Sequence, residues 1–203
     1  MDAAIRSALA ICAGGIPVVE ISMAAPNGLD ILRSVIRAGD SDMLVGAGTV
    51  LDGETVERAH EIGCQFIVTT GFDLGAVQAS KEAGIPVFAG AMTPTEVQVA
   101  MRAGCDVVKL FPCSATGGPQ YVRTMHAQYP SVNFIASGGV TLENCPDYFQ
   151  AGACAVGVGG AIADSESMAR GEFRIFKERA KRFRKVTAEA QARWCKEKTL
   201  QEA

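Results

Sequence analysis

Lys109 lies in the run 106–112, DVVKLFP, where an ammonium group sits among β-branched and aromatic residues. Such a run reads as a buried strand, and an unpaired buried charge is costly. Burial favours the neutral form of an amine, which is the form that attacks a carbonyl carbon. Residues 1–169 hold only one other lysine, Lys81, in QASKEAG, which reads as an ordinary exposed helix end. If the chain forms a Schiff base, Lys109 is the candidate. The plainer alternative is a strand-end lysine that reaches water along its own stem.

Glu20 is the second charge in an apolar run. In VVEIS, an alternation of two puts Val18, Glu20 and Ser22 on one face, and in VVKLF it groups Val107, Lys109 and Phe111. A carboxylate and an ammonium on two strands can therefore meet. A purely structural ion pair there stabilises poorly, because desolvating both charges offsets their attraction. The functional reading makes the lysine a covalent nucleophile and the glutamate a proton shuttle.

These residues need strands to hold them. Short apolar runs recur every 20 to 26 residues: Val18–Ser22, Leu44–Gly48, Phe66–Thr69, Pro86–Ala89, Val107–Leu110, Asn133–Ala136 and Ala155–Val158. Helical stretches lie between them. Several of these stretches end in a glycine (Gly39, Gly63, Gly84, Gly104, Gly152) that stops the helix and turns the chain back. Strands alternating with helices at this period predict an α/β fold with a parallel sheet. Seven units without a GxGxxG fingerprint favour a (β/α)8-type TIM barrel over a doubly wound sheet. Residues 2–13 read as a helix, so a first barrel strand is missing from the seven. The active site of such a barrel lies at the C-terminal strand ends. There the chain carries Glu20, Ser22, Thr49, Thr69, Thr70, Thr93, Lys109 and Ser137, with glycine pairs Gly138-Gly139 and Gly159-Gly160 after the last two strands. Such glycine-rich loops hold phosphate on backbone N–H groups.

Composition bounds the rest. The chain has 203 residues, enough for one sizeable core. The reading is a barrel over 1–169 and a C-terminal helix over 170–203. The net charge of −3 is uneven: residues 170–203 carry 11 Lys and Arg against 5 Asp and Glu, and residues 1–169 carry 8 against 17. A basic tail could suit nucleic acid or a membrane surface. Phe173, Ile175, Phe176, Phe183 and Val186 instead suggest an apolar stripe on a basic amphipathic helix that packs on the barrel or a neighbour. Neither nucleic acid nor membrane is expected as a partner. Seven cysteines without a CxxC pair, and no export segment, lead to an expectation of reduced thiols and a cytoplasmic protein. His60 and His126 lack metal-ligand spacing, so no metal is expected.

Six segments, GGIPVVEIS, VGAGTV, FIVTTGF, DVVKLFPCSATGGPQYV, ASGGVTLEN and AGACAVGVGG, occur in that order between residues 14 and 160. With them the chain resembles, from about residue 3 to residue 162, the 2-keto-3-deoxy-6-phosphogluconate (KDPG) / 4-hydroxy-2-oxoglutarate aldolase family, whose members are pyruvate-dependent class I lyases on a (β/α)8 barrel. The resemblance implies that Lys109 forms the Schiff base and Glu20 is the general acid and base. It implies that Thr49 binds the pyruvate carboxylate and Phe111 packs beside the imine. Ser137, Gly138, Gly139, Gly159 and Gly160 would take the phosphate. No cofactor is implied, and the family tends toward trimers.

The chain departs from the family pattern at three places. Ala24 stands where the family commonly has an arginine that engages the carboxylate. Gly160 or Ala161 stands where the phosphate loop has a hydroxyl residue. The first barrel strand is not read. The first and third of these departures motivate a second reading, a catalytically impaired barrel that serves as a small-molecule binding or scaffold protein. A phosphate-binding isomerase or epimerase fits less well, since the metal-type epimerases need His and Asp ligands that are missing here.

Overall fold

The computed structural model describes residues 1–201, with side chains to Trp194. Seven strands form one parallel sheet: β1 (Val18–Ser22), β2 (Leu44–Val50), β3 (Ile67–Thr69), β4 (Val87–Ala91), β5 (Val107–Leu110), β6 (Phe134–Ser137) and β7 (Ala155–Gly157). They pair in sequence order. The helices are α1 (Asp2–Cys12), α2 (Gly28–Ala38), α3 (Gly53–Glu61), α4 (Leu74–Glu82), α5 (Pro94–Arg102), α6 (Cys113–Thr116), α7 (Pro119–Gln128), α8 (Cys145–Gln150), α9 (Ser165–Ala169) and α10 (Phe173–Gln201). The result is an α/β half-barrel: among the described residues β1 and β7 do not pair with each other, and no eighth strand lies between them.

The strands form where the β-branched runs predict, with ends shifted by one or two residues. Residues that alternate with the site residues face the helices and are buried, as Val45 and Ala47 are on β2, Val108 and Leu110 on β5, and Phe134 and Ala136 on β6. Short polar side chains set the helix starts. Asp52, Asp73, Thr93 and Asp164 each accept a backbone N–H from the third residue onward, satisfying a donor that the helix itself leaves free. Gly63, Gly84, Gly104 and Gly152 end their helices at positive φ. Gly39 differs: it ends α2 in an extended conformation at φ −72°.

α1 packs on the open strand β1 and on α10, which also packs on α8. Gly14 permits this approach, since a Cβ there would lie 2.5 Å from the Ala180 Cβ and 2.6 Å from the Lys177 carbonyl oxygen. α10 buries Phe173, Phe176, Ala180, Phe183 and Ala190. Ile175, expected in that stripe, is exposed. Two residues of helix turn it roughly 200° from Phe173, so it points away from the buried face. Among the described residues no helix is long and apolar enough to cross a membrane. Six cysteines are free thiols, and the side chain of Cys195 lies outside the described residues.

We predict that Phe176→Ala costs about 3–5 kcal/mol of stability, as for a fully buried aromatic. Urea unfolding would show it as a lower midpoint at unchanged slope. A loss below about 1 kcal/mol would mean that α10 is not part of the core.

Candidate active site

Parallel register aligns the inward-facing positions. Glu20 stands beside Gly46, Ser22 beside Gly48, Gly90 beside Lys109, Lys109 beside Ile135, and Ser137 beside Gly157. Lys109 is 8% exposed. Its Nζ lies 3.7 Å from Glu20 Oε1, an ion-pair separation longer than a hydrogen bond, and 5.3 Å from the centre of the Phe111 ring. The face parity read from VVEIS and VVKLF is the parity that brings the two charges together.

Glycines create the space they occupy. A Cβ at Gly48 would sit 1.7 Å from Glu20 Oε1, so the carboxylate lies across the place where β2 has no side chain. One inward step nearer the strand N-termini, the Phe66 ring fills the same kind of vacancy over Gly46, 2.2 Å from where a Cβ would be. Phe66 stacks on Phe88 with ring centres 5.4 Å apart. Ser137 leans over Gly157 in the same way, with Oγ 2.8 Å from that glycine's absent Cβ. At Gly90 the Thr70 carbonyl would meet a Cβ at 2.1 Å, so only glycine lets that turn cross beside Lys109.

Burial raises the Glu20 carboxyl above its ordinary 4.5, and the Lys109 ammonium works against that rise. Glu20 keeps 37% of its side chain exposed, so it reaches both water and the lysine. A carboxyl with a raised value can both take up and release a proton closer to neutrality.

Thr49 has φ +56°, a conformation a β-branched residue seldom adopts. The cause is a break in the ladder: Ala47 pairs with Ile67 and Val50 with Thr69, so three steps on β2 oppose two on β3. Gly48 and Thr49 form the bulge, and bulges re-aim side chains near sites. Sequence reading ended this strand at Gly48 and missed the bulge.

The remaining predicted residues divide. Gly138, at φ +86°, packs under Phe111 and Pro112, and Gly139, at φ +79°, under Ser114. A Cβ at Gly138 would lie 2.9 Å from Pro112 Cα and 3.2 Å from the Phe111 ring. This loop therefore joins the end of β6 to the end of β5. Gly159 and Gly160 have no heavy atom within 4 Å of an added Cβ and border open space. The Gly139 and Gly160 N–H groups make no hydrogen bond among the described residues. Thr69 and Thr93 are taken up structurally: Thr69 Oγ1 accepts the Gly90 N–H at 2.9 Å, and Thr93 caps α5. Among the described residues no cluster of three His, Cys, Asp or Glu side chains is placed to hold a metal ion.

Two predictions follow from this geometry. The Glu20 carboxyl should titrate above 4.5 by carbon-13 NMR, and higher still in Lys109→Met; a wild-type midpoint at or below 4.5 contradicts the burial argument. Because the folded value is raised, this group's contribution to stability is present below its unfolded pKa and lost as pH rises through the folded one. Thr49→Gly should fold with equal or slightly greater stability, since an αL residue costs on the order of 1–3 kcal/mol; a large loss in thermal unfolding would show that the bulge is not strained.

The family model for KDPG and KHG aldolase matches residues 1–178. The chain is 35% identical over 162 residues to 2-dehydro-3-deoxy-6-phosphogalactonate aldolase of Escherichia coli (strain K12), covering 79% of this chain and 78% of the relative. It is 31% identical over 173 residues to 2-dehydro-3-deoxy-phosphogluconate aldolase of Treponema pallidum (strain Nichols), covering 85% and 82%. The KDPG aldolase of Legionella pneumophila, solved with pyruvate captured as a covalent carbinolamine intermediate, superposes with a TM-score of 0.83 at 26% identity, covering 89% of this chain and 87% of that one. The half-barrel, its inward lysine and glutamate, and these matches over most of the length agree: the chain belongs to the KDPG and KHG aldolase family, a family of lyases.

Proposed function

We propose that the protein is a class I aldolase that cleaves a 2-keto-3-deoxy-6-phospho sugar acid, or 4-hydroxy-2-oxoglutarate, to pyruvate and an aldehyde. The observation that carries this reading is the 3.7 Å approach of Lys109 Nζ to Glu20 Oε1 on the inner face of the strands. The Lys109 amine adds to the C2 carbonyl of the keto acid and expels water, giving a protonated imine. Glu20 takes the proton of the C4 hydroxyl as the C3–C4 bond breaks. The bonding pair moves toward the iminium nitrogen, leaving an enamine and releasing the aldehyde. Returning that proton to C3 regenerates the imine, and water then releases pyruvate and frees the lysine. A neutral enamine is far easier to form than a bare carbanion, which is what the covalent step supplies.

Thr49 binds the keto-acid carboxylate in this reading. That task falls to it because residue 24 is alanine and offers no cation. Phe111, whose ring centre lies 5.3 Å from Lys109 Nζ, packs beside the imine in this reading. Ser137 with the Gly138-Gly139 and Gly159-Gly160 loops takes the phosphate, a role supported by the open space beside Gly159 and Gly160. The names of the E. coli and Treponema relatives support a phosphorylated C6 acid as substrate. We place the protein in the cytoplasm as a homotrimer of seven-stranded barrel subunits, each with a basic C-terminal helix.

Incubation with pyruvate followed by borohydride should leave a reduced adduct on Lys109, read by peptide mass, and none in Lys109→Met. Glu20→Gln should retain the adduct and lose about 10²- to 10⁴-fold in turnover, the usual worth of a positioned acid or base. No adduct at millimolar pyruvate would sink the Schiff-base reading. Equal loss of adduct and turnover in Glu20→Gln would reduce the pair to a structural one.

A further inference from the structure

We infer that Ser22 is a positioning residue for Thr49, holding its hydroxyl as a donor toward the carboxylate of the bound keto acid. This rests on the proposed role of Thr49. Ser22 ends β1, is exposed, and stands beside Gly48 in the register. Its Oγ donates to Thr49 Oγ1 at 3.1 Å, and the Ala24 N–H donates to that same Oγ at 3.3 Å. The Met23 N–H donates to the Gly48 carbonyl at 2.7 Å, so the chain after β1 is tied to the bulge at two adjacent points.

The chain of hydrogen bonds has a direction: Ser22 Oγ accepts the Ala24 N–H and donates to Thr49 Oγ1. The Thr49 oxygen is then already accepting, and its own proton is left to turn outward. A carboxylate has only acceptor atoms, so a hydroxyl fixed as donor suits it. Hydrogen bonds also polarise their neighbours along such a chain, which strengthens the last donor. Where residue 24 is alanine, its backbone N–H still contributes, as the first donor of the chain Ala24, Ser22, Thr49.

The test compares two ketones on the full-length protein: pyruvate, and hydroxyacetone, which lacks the carboxylate. Borohydride trapping on Lys109 is measured against ketone concentration. Ser22→Ala should raise the half-saturating pyruvate about 3- to 10-fold, the worth of one net hydrogen bond, and leave hydroxyacetone unchanged. Ser22→Thr should restore the pyruvate value. Ser22→Ala in a Thr49→Ala background should add no further loss. An unchanged pyruvate value, an equal shift for both ketones, or an additive double variant would each overturn the inference while the Schiff-base reading stands. Trapping of neither ketone by the wild type would overturn that reading and this inference with it.

Discussion

The site depends on one constraint: two opposite charges must share the inside of a sheet that has almost no room for them. Glu20 and Lys109 stand on β1 and β5, with three strands between them. Their 3.7 Å contact exists because the intervening strands withhold side chains at the right heights. Gly48 gives up its Cβ to the carboxylate. Gly90, beside Lys109, leaves its place to the Thr70 carbonyl. Beneath them the Phe66 ring lies over Gly46 and stacks on Phe88, giving an apolar floor. An apolar floor under an incompletely matched ion pair is a poor stabilising device. It is a good arrangement for an amine that must react and a carboxyl that must exchange protons.

The rest of the fold supports that interior from outside. Helix-facing residues such as Val45, Ala47, Val108 and Leu110 fix the strand parity, so a slip of one residue would turn Glu20 or Lys109 into the helix layer. α10 and α1 bear on each other through Gly14 and Ala180, and α1 also packs on β1, one of the two strands left unpaired. The bulge at Gly48 and Thr49 adds local strain that packing elsewhere must offset, and it sits next to the carboxylate. Strain of this kind persists where the surroundings over-determine it.

Much of this was legible in the chain. β-branched runs separated by glycine-terminated helices place all seven strands, because strand period and helix stop signals are local properties. The parity of Glu20 and Lys109 is equally local. What escaped reading depends on distance in space. The bulge arises from mismatched pairing of β2 with β3, so no window around Thr49 reveals it. Ser22 looked like one more polar strand end, and its hydrogen bond spans 27 residues of sequence. Gly138 and Gly139 read as phosphate glycines, and their close packing on Pro112 and Ser114 is a further demand for glycine that no local window shows. Thr69 and Thr93 matched the mouth by position, but the sheet and a helix cap already use their oxygens. Ile175 joined the apolar stripe by composition, though its angle on the helix excludes it.

If the glycine vacancy is what sets Glu20 against Lys109, filling it should separate covalent capture from proton transfer. The direct measurement is exchange of the pyruvate methyl protons in deuterated water, followed by proton NMR, for wild type and Gly48→Ala. The account predicts that Gly48→Ala still forms the borohydride-trapped adduct on Lys109 but exchanges at least about 10²-fold more slowly, the low end of what a displaced general base costs. Exchange at the wild-type rate in Gly48→Ala would contradict it.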